Sequence, residues 1–425
     1  MRHATVVLAI ILLSLSAAAE PGVGRSDAPK TYTLEAVIAA GLDNNPDLQA
    51  RRSATEARKA AWGASRRWAN PTLGLEAGKG YPAGTEASVD IGGIALSQAL
   101  ENPVKRKYRV EAFENEWRAA EHDLQAEEIA FISGVKVLFA RILHLRRLET
   151  ISRADAESLE SMLALVRRRV ELGESRELEG LKLEVETLRG RNDLHRVQAD
   201  LHLAREELNG FVGGSLPPDY ELGGQMTYEP GLLDETALLA RADDSHPLIL
   251  MRRSELAAAR SRLGYVRWQR LPDPVISGFT GDEMDGRKTG VGLSFEIPLW
   301  DFKSRAVDEA TGLALAAESA LRAARTSVGL GVRAQVNRMR LTARTLDLFR
   351  GGLMKQAEES LRIAEVSFRQ GELSLLDYLD SRRTHYAILR DYEEALLQWQ
   401  VDRAELEKAS GVLEPGDASE DPRGE

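Results

Sequence analysis

The sequence predicts a mainly α-helical protein with a small β part, built by writing one structural unit twice along the chain. Three observations predict this. A segment of the first half returns in the second at a fixed spacing, the longest stretches carry a seven-residue apolar rhythm, and four short glycine-rich stretches bear a period-two pattern.

The repeat can be followed residue by residue. NPDLQARRSATEARKAAWGASRRW returns as HPLILMRRSELAAARSRLGYVRWQ. Pro46, Arg51, Arg52, Ser53, Ala57, Gly63 and Arg66 recur 201 residues on, as Pro247, Arg252, Arg253, Ser254, Ala258, Gly264 and Arg267. NPTLGLEAG then pairs with DPVISGFTG, LSQALENPVKR with LSFEIPLWDFKSR, and VELGESRELEGL with FRQGELSLLDYL through Gly173 and Gly371. The first unit covers residues 20–213 and the second 232–411. Residues 214–231 are rich in Pro and Gly and read as a linker, and the acidic tail 412–425 is expected to be disordered.

Each unit has the order helix, two short strands, long helix, tight turn, long helix. The strands are expected at about 72–80, 86–97, 274–281 and 288–298. Val291, Leu293, Phe295 and Ile297 alternate with Gly290, Gly292, Ser294 and Glu296, one apolar face against one small or polar face. Val89 and Ile91 fall on odd positions but Ile94 and Leu96 on even ones, and Gly92–Gly93 between them predicts a one-residue bulge. In the first long helix Val110, Phe113, Trp117, Ala120 and Leu124 step by three and four, as do Phe131, Val135, Leu138, Ile142 and Leu145. A helix from Val104 to Leu172 reaches on the order of 100 Å, so it must pack lengthwise against neighbours. Gly173 and Gly371 mark the turns of two helical hairpins.

The beginning of the chain predicts an export signal. Arg2 and His3 precede an apolar run from Val6 to Leu15, and Ala17-Ala18-Ala19 gives a cleavage site after Ala19, so that residues 1–19 are removed. The chain has no cysteine, which excludes disulfides, thiolate chemistry and an N-terminal lipid anchor. Its formal charge of −10 argues against a nucleic-acid partner, because phosphate binding needs a basic face. No phosphate loop, nucleophile elbow or dinucleotide fingerprint is found, and His195 and His202 lack the partners of a metal site. The chain reads as neither an enzyme nor a cofactor carrier. Trp68, Tyr81, Trp268 and Trp300 flank the strands, either as an interfacial girdle or as packing residues.

Four strands of this length can cross an outer membrane, but a barrel of one chain starts at about eight. Open edges are not tolerated in lipid, so several chains must share a barrel if these strands span a membrane. Three chains give twelve strands and twelve long helices in a tube. The strand pattern by itself equally admits two soluble hairpins packed on the helices.

The duplication, the openings of the strands at Asn70-Pro71 and Asp273-Pro274, and the pair LSQALENPVKR and EIPLWDFKSR resemble the TolC-type outer-membrane efflux factors, from Tyr32 to Gly411. NPTLGLEAG and LSQALENPVKRKYR are most similar to the branch serving cobalt–zinc–cadmium (heavy-metal) efflux. The resemblance implies a homotrimer with a twelve-stranded β-barrel in the lipid of the Gram-negative outer membrane. Below it stands a long periplasmic α-helical barrel, whose far end meets a periplasmic adaptor and an inner-membrane pump of the resistance-nodulation-division type. The implied function is that of a passive exit duct for metal ions or small toxic compounds.

The same resemblance places the second turn at the periplasmic mouth, with two Asp six and nine residues after its Gly. Gly371, Asp377 and Asp380 fit, and Glu179 stands six residues after Gly173. Threefold symmetry would make Asp377 and Asp380 a ring of six carboxylates, the kind of ring that selects cations. Where the family carries a latching Tyr and Arg, this chain has Phe368 and Leu373, so the mouth is expected to close by apolar contact and by carboxylates pairing with Arg369 or Arg382. Read from residues alone, Asp377 and Asp380 are an ordinary solvated face beside Arg382 and Arg383, and it is the resemblance that brings the ring reading level with it. The turns themselves, with Gly173, Glu174 and Ser175 and with Gly371, Glu372 and Ser374, are the expected adaptor-docking tips. The competing function is a soluble periplasmic coiled-coil scaffold or adaptor without a pore, which would show one hairpin and not two in duplicate.

Overall fold

The structure, a computed structural model, describes residues 31–81, 84, 86, 88–231 and 234–412. The export signal, Ala19 and the tail from 413 onward lie outside the described residues. In the first repeat β1 (Thr31–Tyr32) leads into α1 (Leu34–Asn44), α2 (Pro46–Ser65), β2 (Thr72–Gly80), β3 (Val89–Ala99), α3 (Pro103–Glu171) and α4 (Glu177–Phe211). After β4 (Glu221–Leu222) the second repeat gives α5 (Glu235–Ser245), α6 (Pro247–Trp268), β5 (Val275–Glu283), β6 (Gly286–Ser294), α7 (Ser304–Leu348), α8 (Met354–Gln370) and α9 (Leu375–Ser410). A π turn over Phe349–Leu353 joins α7 to α8, at the Gly351–Gly352 pair where Gly352 takes φ 137°.

Helix α3 has 69 residues and is the spine of the molecule. Helix α4 packs along one side of its lower half and α9 along the other, and α9 in turn carries α7 and α8. At the lower end the helices therefore form a layer in the order α4–α3–α9–α8. The lower run of the heptad rhythm does what it predicts, with Phe131, Val135, Ile142 and Leu145 in the first core. The upper run, including Val110, Phe113 and Trp117, is only half-buried, because Ala112 and Ala119 take the closest contacts there. The segment 214–231 is more than a connector: Tyr220 and Leu222 belong to the first core and Tyr228 to the second, and β4 pairs in parallel with β1.

The four strands form one antiparallel sheet in the order β2-β3-β5-β6, leaving β2 and β6 as edges. Pairing of β2 with β3 runs unbroken from Thr72 opposite Ser97 to Gly80 opposite Val89, so the expected bulge at Gly92–Gly93 is absent. Those glycines serve a close approach between strands, since a Cβ on Gly281 would stand 2.8 Å from the Gly92 carbonyl oxygen. The side-chain switch that suggested a bulge has a different cause. Ile94 and Leu96 share the outer face with their partners Leu75 and Leu73, while Ile91 points to the other face beside Gly78. Strand β6 stops at Ser294 and not near 298, because its partner β5 begins at Val275, directly after Pro274. The outer face carries Leu73, Leu75, Ile94, Leu96, Ile276, Val291 and Leu293, all exposed. The opposite face is mostly Gly, Ala and Ser around Phe279, whose ring lies where a Cβ on Gly290 would stand.

Two joints tie the repeats together. Asp273, at the mouth of β5, accepts the Asn102 N–H at 3.1 Å and holds Lys105 Nζ at 2.5 Å, so the Asp-Pro of one repeat caps the Asn-Pro-Val-Lys of the other. The α1–α2 corner recurs at α5–α6. Asn45 accepts the Leu48 N–H at 3.0 Å and donates to the Phe211 carbonyl at 2.9 Å. His246 stands at the equivalent place, its Nδ1 accepting the Leu248 N–H at 3.1 Å, with a further hydrogen bond to the Lys408 backbone. Gly213 and Gly411, at φ 77° and 69°, let the ends of α4 and α9 close against these corners.

The Nδ1 of His246 accepts an N–H, so it carries no proton, and burial holds its pKa below the ordinary histidine value against the Lys408 bond. On acidification through about pH 6.5 the unfolded chain gains a proton at this position that the fold resists, so stability falls below that pH and is constant above it. The variant His246→Asn, which copies the first repeat, is expected to lose less stability between pH 7.5 and 5 than the parent. The sign of the difference is read from thermal melts of both proteins at the two pH values.

Candidate functional site

The lower end of the helical layer brings the sequence-predicted residues together. Both hairpin turns close by the same hydrogen-bond pattern. The Gly173 N–H donates to the Val170 carbonyl at 3.0 Å and the Glu174 N–H to that of Arg169 at 2.8 Å. In the second hairpin Gly371 donates to Phe368 at 3.1 Å and Glu372 to Ser367 at 2.9 Å. Both glycines have positive φ, 77° and 83°, as this helix ending requires. The tips stand level, because the Arg169 guanidinium reaches across to the carbonyls of Phe368 at 3.2 Å and Arg369 at 2.5 Å. Glu174 and Glu372 are exposed at the turns, and Ser175 is partly covered.

Ser374 is the N-cap of α9, and its hydroxyl meets both the backbone and the side chain of Asp377. The Ser374 Oγ accepts the Asp377 N–H at 3.2 Å and donates to the Asp377 carboxylate at 2.6 Å. Asp377 therefore has a local role at the start of α9. Asp377 and Asp380 are both exposed on the side of α9 away from Leu375, Tyr378 and Leu379, which are buried. Their shared free face fits either a lining or a solvated surface. Glu179, in the first turn of α4, is half-buried. Among the described residues no three carboxylate or imidazole groups gather closely enough to hold a metal ion, so a cation site at Asp377 and Asp380 needs carboxylates from other copies.

Within one chain, Phe368, Arg369 and Arg382 are held by other partners. Phe368 does not face an opening within this chain. It is 5% exposed in a core with Val166, Leu183, Leu375 and Tyr378, its ring stacked on Tyr378 at 5.3 Å and capped by the Arg169 guanidinium. Neither Arg369 nor Arg382 pairs with the carboxylates at 377 and 380. Arg369 bonds Glu365 at 2.6 Å, one turn back on the same helix. Arg382 is buried and bound to Asp155 of α3, which Arg390 also approaches at 3.4 Å.

This buried charge cluster between α3 and α9 is the feature that sequence reasoning missed. The available signal was Asp155 standing in step with Leu159, Met162 and Val166 on an otherwise apolar stripe. Burial pushes the Asp155 carboxyl above the ordinary range, and Arg382 and Arg390 oppose that shift. Higher up, Arg147 bonds Glu393 at 2.9 Å and the buried His144 sits 3.1 Å from the Glu393 carbonyl, so the α3–α9 seam is fixed by polar pairs at several heights.

The fold and tip define a duplicated protein with an amphipathic sheet above a pair of long helical hairpins. The chain matches the outer membrane efflux protein family over residues 37–214 and 238–412, and it belongs to that family. Among solved structures it is similar to the outer membrane protein VceC of Vibrio cholerae, at 18% identity and a TM-score of 0.75, covering 89% of this chain and 96% of that one. The MtrE outer membrane channel of Neisseria gonorrhoeae in its open state matches at 19% identity and 0.75, over 89% of each chain. CusC, studied for the changes that accompany its folding and transmembrane channel formation, matches at 19% and 0.75, over 89% and 92%. Identities this low establish likeness of fold. No curated protein sequence matches significantly.

Removing one partner of the buried pair leaves the other charge uncompensated. Arg382→Met is expected to cost about 3–5 kcal/mol, whereas Asp377→Ala, which removes an exposed capping contact, costs about 1 kcal/mol or less. Guanidinium unfolding followed by helical circular dichroism measures both. Equal effects would remove the Asp155–Arg382 pair from its structural role.

Proposed function

We propose that three copies of this chain form the passive exit duct of a tripartite efflux machine in the outer membrane. The observation that carries this reading is the sheet. It has four strands, two unpaired edges and an outer face of exposed Leu, Ile and Val. An edge left open is costly in lipid and prone to mispairing in water, and both problems vanish when β6 of one copy pairs with β2 of the next. Twelve strands then close a barrel whose apolar band faces lipid, with Lys79, Asp90, Asp282 and Arg287 at the end away from the helices. A soluble scaffold would leave that apolar face in water, so this alternative is not favoured. Among the described residues no helix is long and apolar enough to cross a membrane, and the strands carry the crossing in this reading.

The helical layers of the three copies continue the barrel as a tube, and the level tips at Gly173 and Gly371 are its periplasmic mouth. Asp377 and Asp380 contribute a ring of six carboxylates there, with Glu179 near it. Phe368 acts on closure from inside the tip core, by fixing where the helix ends stand. The exposed turn residues Glu174 and Glu372 dock a periplasmic adaptor, which couples the duct to an inner-membrane pump of the resistance-nodulation-division type. Metal ions or small toxic compounds are the cargo, chosen by the pump, while the duct contributes cation preference.

Conductance in planar lipid bilayers tests this. The parent protein is expected to give discrete cation-selective channels that multivalent cations block, and Asp377→Ala/Asp380→Ala to lose the block and most of the selectivity. Channels with unchanged selectivity would return both aspartates to an ordinary helix face, and the absence of any channel would sink the duct. Photo-crosslinking from positions 174 and 372 is expected to capture the adaptor when the two are co-expressed.

A further inference from the structure

The joint between the sheet and the helices carries a charge opposite to that of the chain. Residues 66–71 and 267–274 lead from α2 and α6 into β2 and β5, and residues 101–109 lead from β3 into α3. These segments hold eight Lys and Arg against two carboxylates, Glu101 and Asp273, a net +6 in a chain of −10. Both carboxylates are already bound, Glu101 by Arg109 and Asp273 by Lys105. Lys107 lies 3.8 Å from Glu111. Arg66, Arg67, Arg106, Arg267 and Arg270 have no carboxylate partner among the described residues.

Local structure explains only part of this excess. A cation at a helix C-terminus suits the helix dipole, which accounts for Arg66 and Arg267 at the ends of α2 and α6. The same dipole opposes Lys105 and Arg106, which stand in the first turn of α3 with no acidic residue in that turn. Arg106 lies over the Trp68 ring at 4.7 Å and donates to the Arg66 carbonyl, and its buried Nε has no acceptor. Large apolar side chains share the joint. Trp68, Leu271, Leu299, Trp300 and Phe302 are between 50 and 96% exposed.

We propose that this collar binds the headgroup phosphates of anionic phospholipids in the periplasmic leaflet of the outer membrane, and so fixes the depth of the sheet in the bilayer. This rests on the membrane-spanning sheet of the reading above. Three features fit such a ligand. A guanidinium offers paired N–H donors that match phosphate oxygens. Exposed Trp beside cations suits the headgroup layer, where an indole meets both hydrocarbon and water. The height is also right. The Leu100 N–H bonds the Pro274 carbonyl at 2.8 Å, one step beyond the sheet, and Arg106 is the fourth residue of the helix that follows. That places it about 6 Å below the start of α3, within a headgroup layer about 5–8 Å deep. Facing a water-filled lumen, Trp68 and Leu271 would gain nothing from their exposure, whereas a headgroup layer takes the cations and the apolar groups together.

The test reconstitutes the full chain in phosphatidylcholine bilayers with a trace of phosphatidylglycerol or phosphatidylcholine, spin-labelled on an acyl chain. Electron paramagnetic resonance reads the fraction of each label held at the protein surface, and hence the relative association of the two lipids. Phosphatidylglycerol is expected to associate several-fold more strongly. Arg66→Gln/Arg67→Gln/Arg267→Gln/Arg270→Gln is expected to bring the ratio close to one. Salt at about 1 M is expected to do the same to the parent protein, since it screens exposed charges beyond about 3 Å. This second arm needs no substitution and so does not depend on the variant's folding. A restricted signal with equal association of the two lipids overturns the collar and leaves the sheet in the membrane. No restricted signal from either lipid overturns the membrane reading and the collar with it. A preference that salt removes but the fourfold variant keeps places the contact elsewhere and overturns the assignment to these arginines.

Discussion

The rest of the structure depends on the lateral packing of one helix. Helix α3 is about 100 Å long at 69 residues, far beyond any single compact core, so each of its turns must find a neighbour on its own. Helices α2 and α6 supply neighbours near the sheet, and α4 and α9 supply them toward the tips. The apolar stripe on α3 does most of this, but it is punctuated by Ser133, His144, Ser152 and Asp155, all buried and polar. Ser133, His144 and Asp155 each meet a fixed partner or carbonyl, as Ser133 does with the Ala404 carbonyl at 3.1 Å. A continuous apolar seam could slide by a heptad with little penalty, and these polar pairs cannot. The α3–α9 register that levels the two tips therefore rests on them.

Duplication supplies the plan, and its departures show where the halves were asked for different things. Asn45 became His246, which keeps the cap but adds a titrating group. Asn102, capping α3, has as its counterpart the turn Asp301–Lys303, where Lys303 takes a left-handed φ of 57° at the start of α7. Asp301 steadies that turn by accepting the Lys303 N–H at 2.8 Å. The first repeat runs α3 without a break, whereas the second divides the same length at a π turn on Gly351–Gly352. Arg350 of this turn lies over the Tyr228 ring at 4.8 Å and donates to its carbonyl, so the break is seated against the segment joining the repeats.

At the tips, local and collective roles are superposed on the same residues. Asp377 has a local role of its own, since its N–H and its carboxylate both meet the Ser374 hydroxyl that caps α9, and the proposed ring of carboxylates would add to that role without replacing it. Phe368, a candidate for the opening when read in sequence, belongs to the interior of the tip. The charge that holds the second hairpin to the first comes from Asp155, well up the helix.

What the sequence by itself determined was everything written in periodicity and punctuation: two repeats, the four strands to within a few residues, the long hairpins, and the glycine turns at 173 and 371. These depend on local dihedral preference and on which side of an element is apolar, and both can be read from neighbouring letters. The expected bulge at Gly92–Gly93 was a misreading of the same signal, since only strand pairing shows that Ile91 and Ile94 serve opposite faces. Tertiary structure alone decided the order α4–α3–α9–α8, the burial of Phe368, and the capture of Arg382 by Asp155. The contacts of Arg169 with Phe368 and of Asp155 with Arg382 join residues 199 and 227 positions apart, and whether a charged or aromatic side chain meets water or a partner is settled by which helix lies beside it.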